Sequence, residues 1–289
     1  MTMRNKHLQK QLLMGDLFLA CVNLEPCLCG HDYDPGPSDL LELQVAELCD
    51  ASASSLLLGS SLLAADNAIV LPELKDLVQQ IIEVYTVKSQ MRIQNMSTKR
   101  ALQTGHWITT RNMAIRNRLL AVNSIADGTN AIRTALIMWT LLTMNITGRL
   151  KTIGIMAQRL QQLYQRLPYE ATQLSQCWFW LLTIGHMCSS AGSGTCSWFL
   201  HRLYDLEEIR ITLSTQDCHK QTLTRRLKTM QCGFLYDDAI QGPLTEALAA
   251  SLVITLSAEE DDSQESDWLS RAHTDFDTSF TSLDAVSPE

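Results

Sequence analysis

Residues 131–144 read Ala-Ile-Arg-Thr-Ala-Leu-Ile-Met-Trp-Thr-Leu-Leu-Thr-Met and are apolar nearly all round. A helix of that kind has no face for water, so it must lie at the centre of other helices. The chain therefore has to supply enough one-sided helices to surround it. Leu71, Leu74, Leu77, Val78, Ile81, Ile82 and Tyr85 recur at steps of three and four behind Pro72, the pattern of one buried helical face. Leu150–Leu167 is amphipathic and stops at Pro168. Further apolar faces are carried by Leu8, Leu12, Leu13, Leu17 and Leu19, by Ile115, Leu119, Leu120 and Val122, and by the segment Thr222–Tyr236, with Gly233 near its end.

Punctuation fits the same scheme. Pro35, Gly36 and Pro37 mark a loop, and Ser38 with Glu42 reads as the start of another helix, running to about Cys49. Residues 51–61, rich in Ser and Ala, read as loop or weak helix. Strand signals are sparse: Ile209–Ser214 and Leu252–Leu256 are short, and neither has a hairpin partner. The expectation is an all-α fold of roughly nine packed helices over residues 1–256, with an acidic, disordered tail over 257–289.

The charge divides at that boundary. Ten acids and one base, Arg271, lie in residues 257–289, so the tail carries −9 against −8 for the whole chain and the body sums to about +1. The body is close to neutral and offers no electrostatic footprint for nucleic acid. Two stretches resemble membrane spans. Thr134–Gly148 is uncharged but short of the roughly 20 residues a span needs, and Ala171–His201 is uncharged but polar and broken at Ala191-Gly192-Ser193-Gly194. Two buried helices with a flexible join account better for the second. Nine irregularly spaced cysteines, behind an N-terminus without a signal-peptide pattern, read as reduced thiols in an intracellular protein.

No residue set reads as a catalytic or cofactor centre. Cys27, Cys29 and His31 cluster, but a single intervening residue is the wrong cysteine spacing for zinc. Cys218-His219 has no partner pair. His186 and Cys188 are two residues apart, which on a helix sends them to different faces. Gly192–Thr195 lacks the Lys-Ser/Thr ending of a phosphate loop and reads as a join between helices. The arginines Arg111, Arg116 and Arg118 are expected on an ordinary exposed face. These readings point away from an enzyme and away from any metal or cofactor. The alternatives are a small helical enzyme with a pocket lined by Trp107, Trp139, Trp178 and Trp180, or a membrane-associated protein using Ala171–His201.

The tail cannot bury enough apolar surface to fold alone. Yet Trp268, Leu269, Phe276, Phe280 and Leu283 are spaced among its acids and Ser/Thr residues. Acid–hydrophobic mixing of this kind is the composition of transcriptional activation segments, in which apolar side chains dock in a partner's groove.

Several segments together resemble a known family. They are Cys177-Trp-Phe-Trp-Leu-Leu-Thr-Ile-Gly-His-Met-Cys-Ser-Ser, Ser197-Trp-Phe-Leu-His-Arg-Leu, Phe234-Leu-Tyr-Asp-Asp, Arg133-Thr-Ala-Leu-Ile-Met-Trp-Thr-Leu-Leu, Leu150–Leu167 and Leu71-Pro-Glu-Leu-Lys-Asp-Leu. Over roughly residues 10–250 the chain is similar to the C-terminal regulatory domain of fungal zinc-cluster transcription factors. Ser189-Ser190 departs from the alanines usual there. The resemblance implies an all-α regulatory domain of a nuclear regulator of fungal gene expression, of a specialised-metabolite gene cluster in particular. Its partners would be the transcription machinery or a DNA-binding regulator, and it would form homo- or hetero-oligomers. The family's six-cysteine DNA-reading module is not matched by Cys21, Cys27, Cys29 and Cys49, so direct DNA binding is not expected of these residues.

Overall fold

The computed structural model describes residues 3–28, 34–37, 58–67, 69–93, 96–122, 126–144, 148–167, 176–213 and 220–255. Among them the fold is all-α, with eleven helices and no strand. The helices are α1 (Met3–Asn23), α2 (Ser60–Ala64), α3 (Pro72–Ile93), α4 (Thr98–Ala121), α5 (Asp127–Leu142) and α6 (Arg149–Gln165). They continue with α7 (Gln176–Cys188), α8 (Gly194–Tyr204), α9 (Glu207–Leu213), α10 (Lys220–Cys232) and α11 (residues 238–255).

Helix α5 is the centre that its sequence requires. Thirteen of its sixteen residues are buried, and α3, α4, α6 and α7 all pack on it. Its buried threonines return their hydroxyls to the helix's own backbone: Thr134 donates to the Asn130 carbonyl at 2.7 Å and Thr140 to that of Ile137 at 2.8 Å. The hydroxyls of these two threonines therefore demand no partner across the core.

Around this centre the helices form antiparallel neighbours. Helix α3 starts at Pro72, where a missing N–H costs nothing, and pairs along its length with α4. Helix α7 pairs with α8 through the Gly-containing join expected there, with Gly192 at φ +73° and Ser193 capping α8 by accepting from the Cys196 N–H at 3.2 Å. The pair is tight at one point: a Cβ on Gly185 would lie 2.3 Å from the ring of Phe199. Helix α1 covers α6 and touches α4.

Several readings of the sequence change. The segment Ile209–Leu213 is helical, because Ile209, Thr212 and Leu213 bury at three- and four-residue spacing and the helix period wins over a brief alternation. Leu252–Thr255 likewise belongs to α11, a helix that adds to the nine expected. The helix proposed from Ser38 to Cys49, the residues Cys29 and His31, the pair Cys218-His219 and the whole tail beyond 255 lie outside the described residues.

Candidate functional site

Among the described residues the chemistry-bearing side chains gather at four places. The first is the link from α10 to α11. Here Phe234 stacks on Trp180 at 6.0 Å, and Trp180 donates its indole N–H to the Leu235 carbonyl at 3.3 Å. The link is tied to the start of α2 by two backbone bonds, Gly59 N–H to the Phe234 carbonyl and Ser61 N–H to that of Gly233, both 2.8 Å. Asp237 follows, its side chain 1% exposed. Its Oδ1 accepts from Arg92 at 2.8 Å and from the Ala239 N–H at 3.2 Å, and its Oδ2 from Lys88 at 3.3 Å. It is thus both the N-cap of α11 and the counterion of two bases on α3. Burial pushes the Lys88 ammonium below its ordinary value, against the pull of Asp237. Gln241 closes the network: its Oε1 accepts from the Asp237 N–H at 2.8 Å and from the Trp139 indole at 2.9 Å. Every member is satisfied by another member, the mark of a network that fixes architecture.

The second place corrects an expectation. Two of the three arginines expected on an exposed face are buried: Arg111 is 6% and Arg116 0% exposed, within residues 110–116 that are buried without interruption, while the Arg118 side chain stays 41% exposed. The segment 34–37 closes over this helix. Trp107 donates its indole N–H to the Gly36 carbonyl at 3.1 Å. Asp34 pairs with Arg111 and, at 2.8 Å, with Arg118, and Glu83 lies 3.6 Å from Arg111. Burial works to raise the Asp34 carboxyl, but the Gly36 N–H and the two guanidiniums overrule it and hold the group below the usual carboxylate range. Arg116 has no hydrogen-bond partner for any of its three nitrogens among the described residues, and its electrostatic neighbours are the Cys21 and Cys27 thiols. Cys27 is held by Asn117, its thiol donating to Oδ1 at 2.9 Å.

The third is a cysteine–histidine contact. His186 turns away from buried Cys188, as their spacing requires, and its Nδ1 lies 3.6 Å from the Cys196 thiol. Burial lowers the imidazole and raises the thiol. Both shifts favour the neutral forms, the opposite of the thiolate–imidazolium pair a nucleophile needs. The six described cysteines are all free thiols, and burial lifts Cys21 and Cys188 to about 12. No three metal-ligating side chains converge among the described residues.

The fourth is a cleft of about 430 Å³, bounded by Leu142 of α5, Arg149, Leu150 and Ile153 of α6, Met187–Ser190 at the end of α7, and Ile240, Pro243 and Leu244 of α11. None of Trp107, Trp139, Trp178 or Trp180 lines it. Trp139, Trp178 and Trp180 are core residues, and Trp178 meets the edge of Tyr164 at 6.0 Å. Among the described residues no helix is long and apolar enough to cross a membrane. The tail residues Trp268, Leu269, Phe276, Phe280 and Leu283 lie outside the described part. The sequence reading missed both Asp237 as a hub and the cleft. The clue to the hub was an Asp three residues after Phe234, just ahead of an Ala-Ile-Gln helix start. Comparison of the chain with protein-family models, with curated proteins and with solved structures finds no match.

Proposed function

We propose that this chain is the helical regulatory domain of a fungal transcriptional regulator of the zinc-cluster kind, acting in the nucleus through protein partners, with its acidic tail as the recruiting segment. The observation that carries the reading is the adjacency of the segments on which the resemblance rests. Arg133–Leu142 lies in α5, Cys177–Cys188 is in α7, Ser197–Leu203 lies in α8 and Phe234–Asp238 forms the link. They meet directly, Phe199 of α8 against Gly185 of α7 and Trp180 of α7 on Phe234 of the link, while α5 packs against α7. Segments separated by up to about a hundred residues thus form one packing unit, which is how a shared domain carries a scattered pattern. Trp139, Trp180, Asp237 and Gln241 spend their polar groups inside the body, consistent with a domain whose work lies at its surface and tail. On this reading contact with DNA is made by a partner or by a module other than these residues, and control of a specialised-metabolite gene cluster is the expected setting.

The test is transcriptional. The full chain, tethered to an unrelated DNA-binding domain in a fungal host, activates a reporter. Trp268→Ala with Phe276→Ala lowers that activation to background at equal protein level. An inert tethered chain, or full activity in the double variant, refutes the recruiting role. A fluorescent fusion that stays out of the nucleus refutes the setting.

A further inference from the structure

We infer that the cleft between α6, α7 and α11 is the docking site of the chain's own tail, taken up through Trp268 and Leu269. The floor of the cleft is apolar, with Leu142, Ile153, Met187 and Leu244 in its lining, and Leu150 stands 69% exposed at its edge. The volume, about 430 Å³, is at the lower end of the roughly 300–1,000 Å³ usual for ligand pockets and suits one or two large side chains.

Charge selects the occupant. Arg149 borders the cleft and forms no ion pair among the described residues, whereas Lys151, two positions on, faces another way. Arg149 lies in the first turn of α6, which has no acid and no side-chain cap on Gly148. A helix N-terminus favours anions, and the guanidinium adds a positive charge to it. The tail supplies what this corner lacks: Glu265 and Asp267 immediately precede Trp268-Leu269. Apolar pair to the floor and acids to Arg149 is one consistent register.

The reach is sufficient. Helix α11 carries the chain from Leu244 to Thr255, eleven residues and about 16 Å. The twelve residues 256–267 span up to about 40 Å when extended, so they return to the cleft at less than half extension. A tether of this length gives an effective concentration of order millimolar. An intrinsic dissociation constant about tenfold below that concentration would leave the tail docked about ten times in eleven. A docked tail is withheld from other partners. That consequence rests on the proposed recruiting role, whereas the docking does not.

Arg271, the one Lys or Arg in residues 257–289, provides the readout. Trypsin at low dose is added to the full chain, and loss of residues 272–289 is followed by intact mass. Cleavage at Arg271 is expected to be about tenfold faster in Trp268→Ala/Leu269→Ala and several-fold faster in Arg149→Glu. The first pair lies in the tail and the second at the surface, so neither endangers the core. Reversal of the exposed bases Arg225 and Arg226 on α10 to Glu is expected to leave the rate unchanged. Equal rates in all variants overturn docking. Acceleration by the tail pair but not by Arg149→Glu overturns the cleft as its place, as does equal acceleration by the α10 reversal. Protection that vanishes on dilution overturns the intramolecular occupant in favour of a second copy. The tethered reporter is read separately, so an inert tail with normal docking faults only the proposed recruiting role.

Discussion

Removing the Asp237 carboxylate separates its two tasks. Asp237→Ala deletes the N-cap acceptor of α11, worth about 1 kcal/mol in comparable helices. It also strips the counterion from Lys88 and Arg92. Breaking a buried pair costs about 3–5 kcal/mol in general. Here the figure must be discounted, because Arg92 is 39% exposed and Lys88 keeps the Thr143 carbonyl at 2.6 Å. A cost of about 2–3 kcal/mol for the charges and about 3–4 kcal/mol in total follows. Asp237→Asn keeps an oxygen for the Ala239 N–H and should lose only the first part. For a body of this size about 1 kcal/mol moves Tm by about 2–4 °C, so the alanine variant should melt roughly 10 °C lower. Urea unfolding followed by tryptophan emission checks both. In the Asn background Lys88→Met should recover part of the loss by removing the stranded ammonium. An alanine variant within 1 kcal/mol of the parent, or Asn and Ala variants that coincide, would refute the account.

Gly185→Ala drives a methyl into the Phe199 ring, which is 0% exposed and wedged 5.0 Å from Trp198. A loss of about 3 kcal/mol is expected, at the upper end of overpacking costs, with partial recovery on adding Phe199→Leu; a neutral alanine variant in urea unfolding would contradict the packing. Arg116→Met replaces a buried guanidinium that has no partner among the described residues by a side chain of similar reach, and should stabilise by about 1–4 kcal/mol. A loss instead, read by the same denaturation, means that an anion reaches Arg116. His186 has its imidazole lowered by burial below the ordinary 6.5, a change the Cys196 carbonyl only partly opposes. Between the lowered value and 6.5 the unfolded chain binds more protons, so this residue's stabilisation is complete above 6.5 and is lost as pH falls through the folded value. In His186→Gln the fall of the urea midpoint below pH 6.5 should be shallower, and an unchanged slope counts against the assignment.

The parts of the fold that the sequence announces are those governed by local periodicity. Helix α5 is legible because a run apolar on all sides has one solution, the centre of a bundle. Pro72, Gly192 and Ser193 likewise do in the structure what their backbone preferences dictate. The misread parts depend on distant partners. An arginine signals solvent until a carboxylate covers it, and Asp34 reaches Arg111 across 77 positions of sequence. Asp237 meets Arg92 across 145. No window of sequence contains either pair. Helix α11 escapes detection for a different reason: it holds Gly242-Pro243 near its start and Leu-Val-Ile-Thr at its end, a turn signal and a strand signal. What overrides them is tertiary: the Asp237 cap, the Gln241 bond to Trp139 and the burial of Leu248, Ala249 and Leu252.

The same distinction governs where functional evidence should be sought. The segments that carry the family resemblance are core, so substitutions within them report on folding before anything else. Trp180, Phe199 and Phe234 are each at most 1% exposed, and losing any of them would abolish a regulator and an enzyme alike. A phenotype at these positions therefore cannot discriminate between functions. Discrimination belongs to residues whose loss leaves the core intact: Arg149 and Leu150 at the cleft, and Trp268 with Leu269 in the tail. Because the body is near neutral and its Asp34 and Asp237 carboxylates are already paired with arginine and lysine, the steepest charge contrast within the chain is between the acidic tail and bases without a carboxylate. Salt weakens such a contrast but hardly touches an apolar seat. Tail protection that halves or more between 50 mM and 500 mM salt while remaining sensitive to Trp268 would show both forces acting at one site, which is what a recruiting segment held in reserve requires.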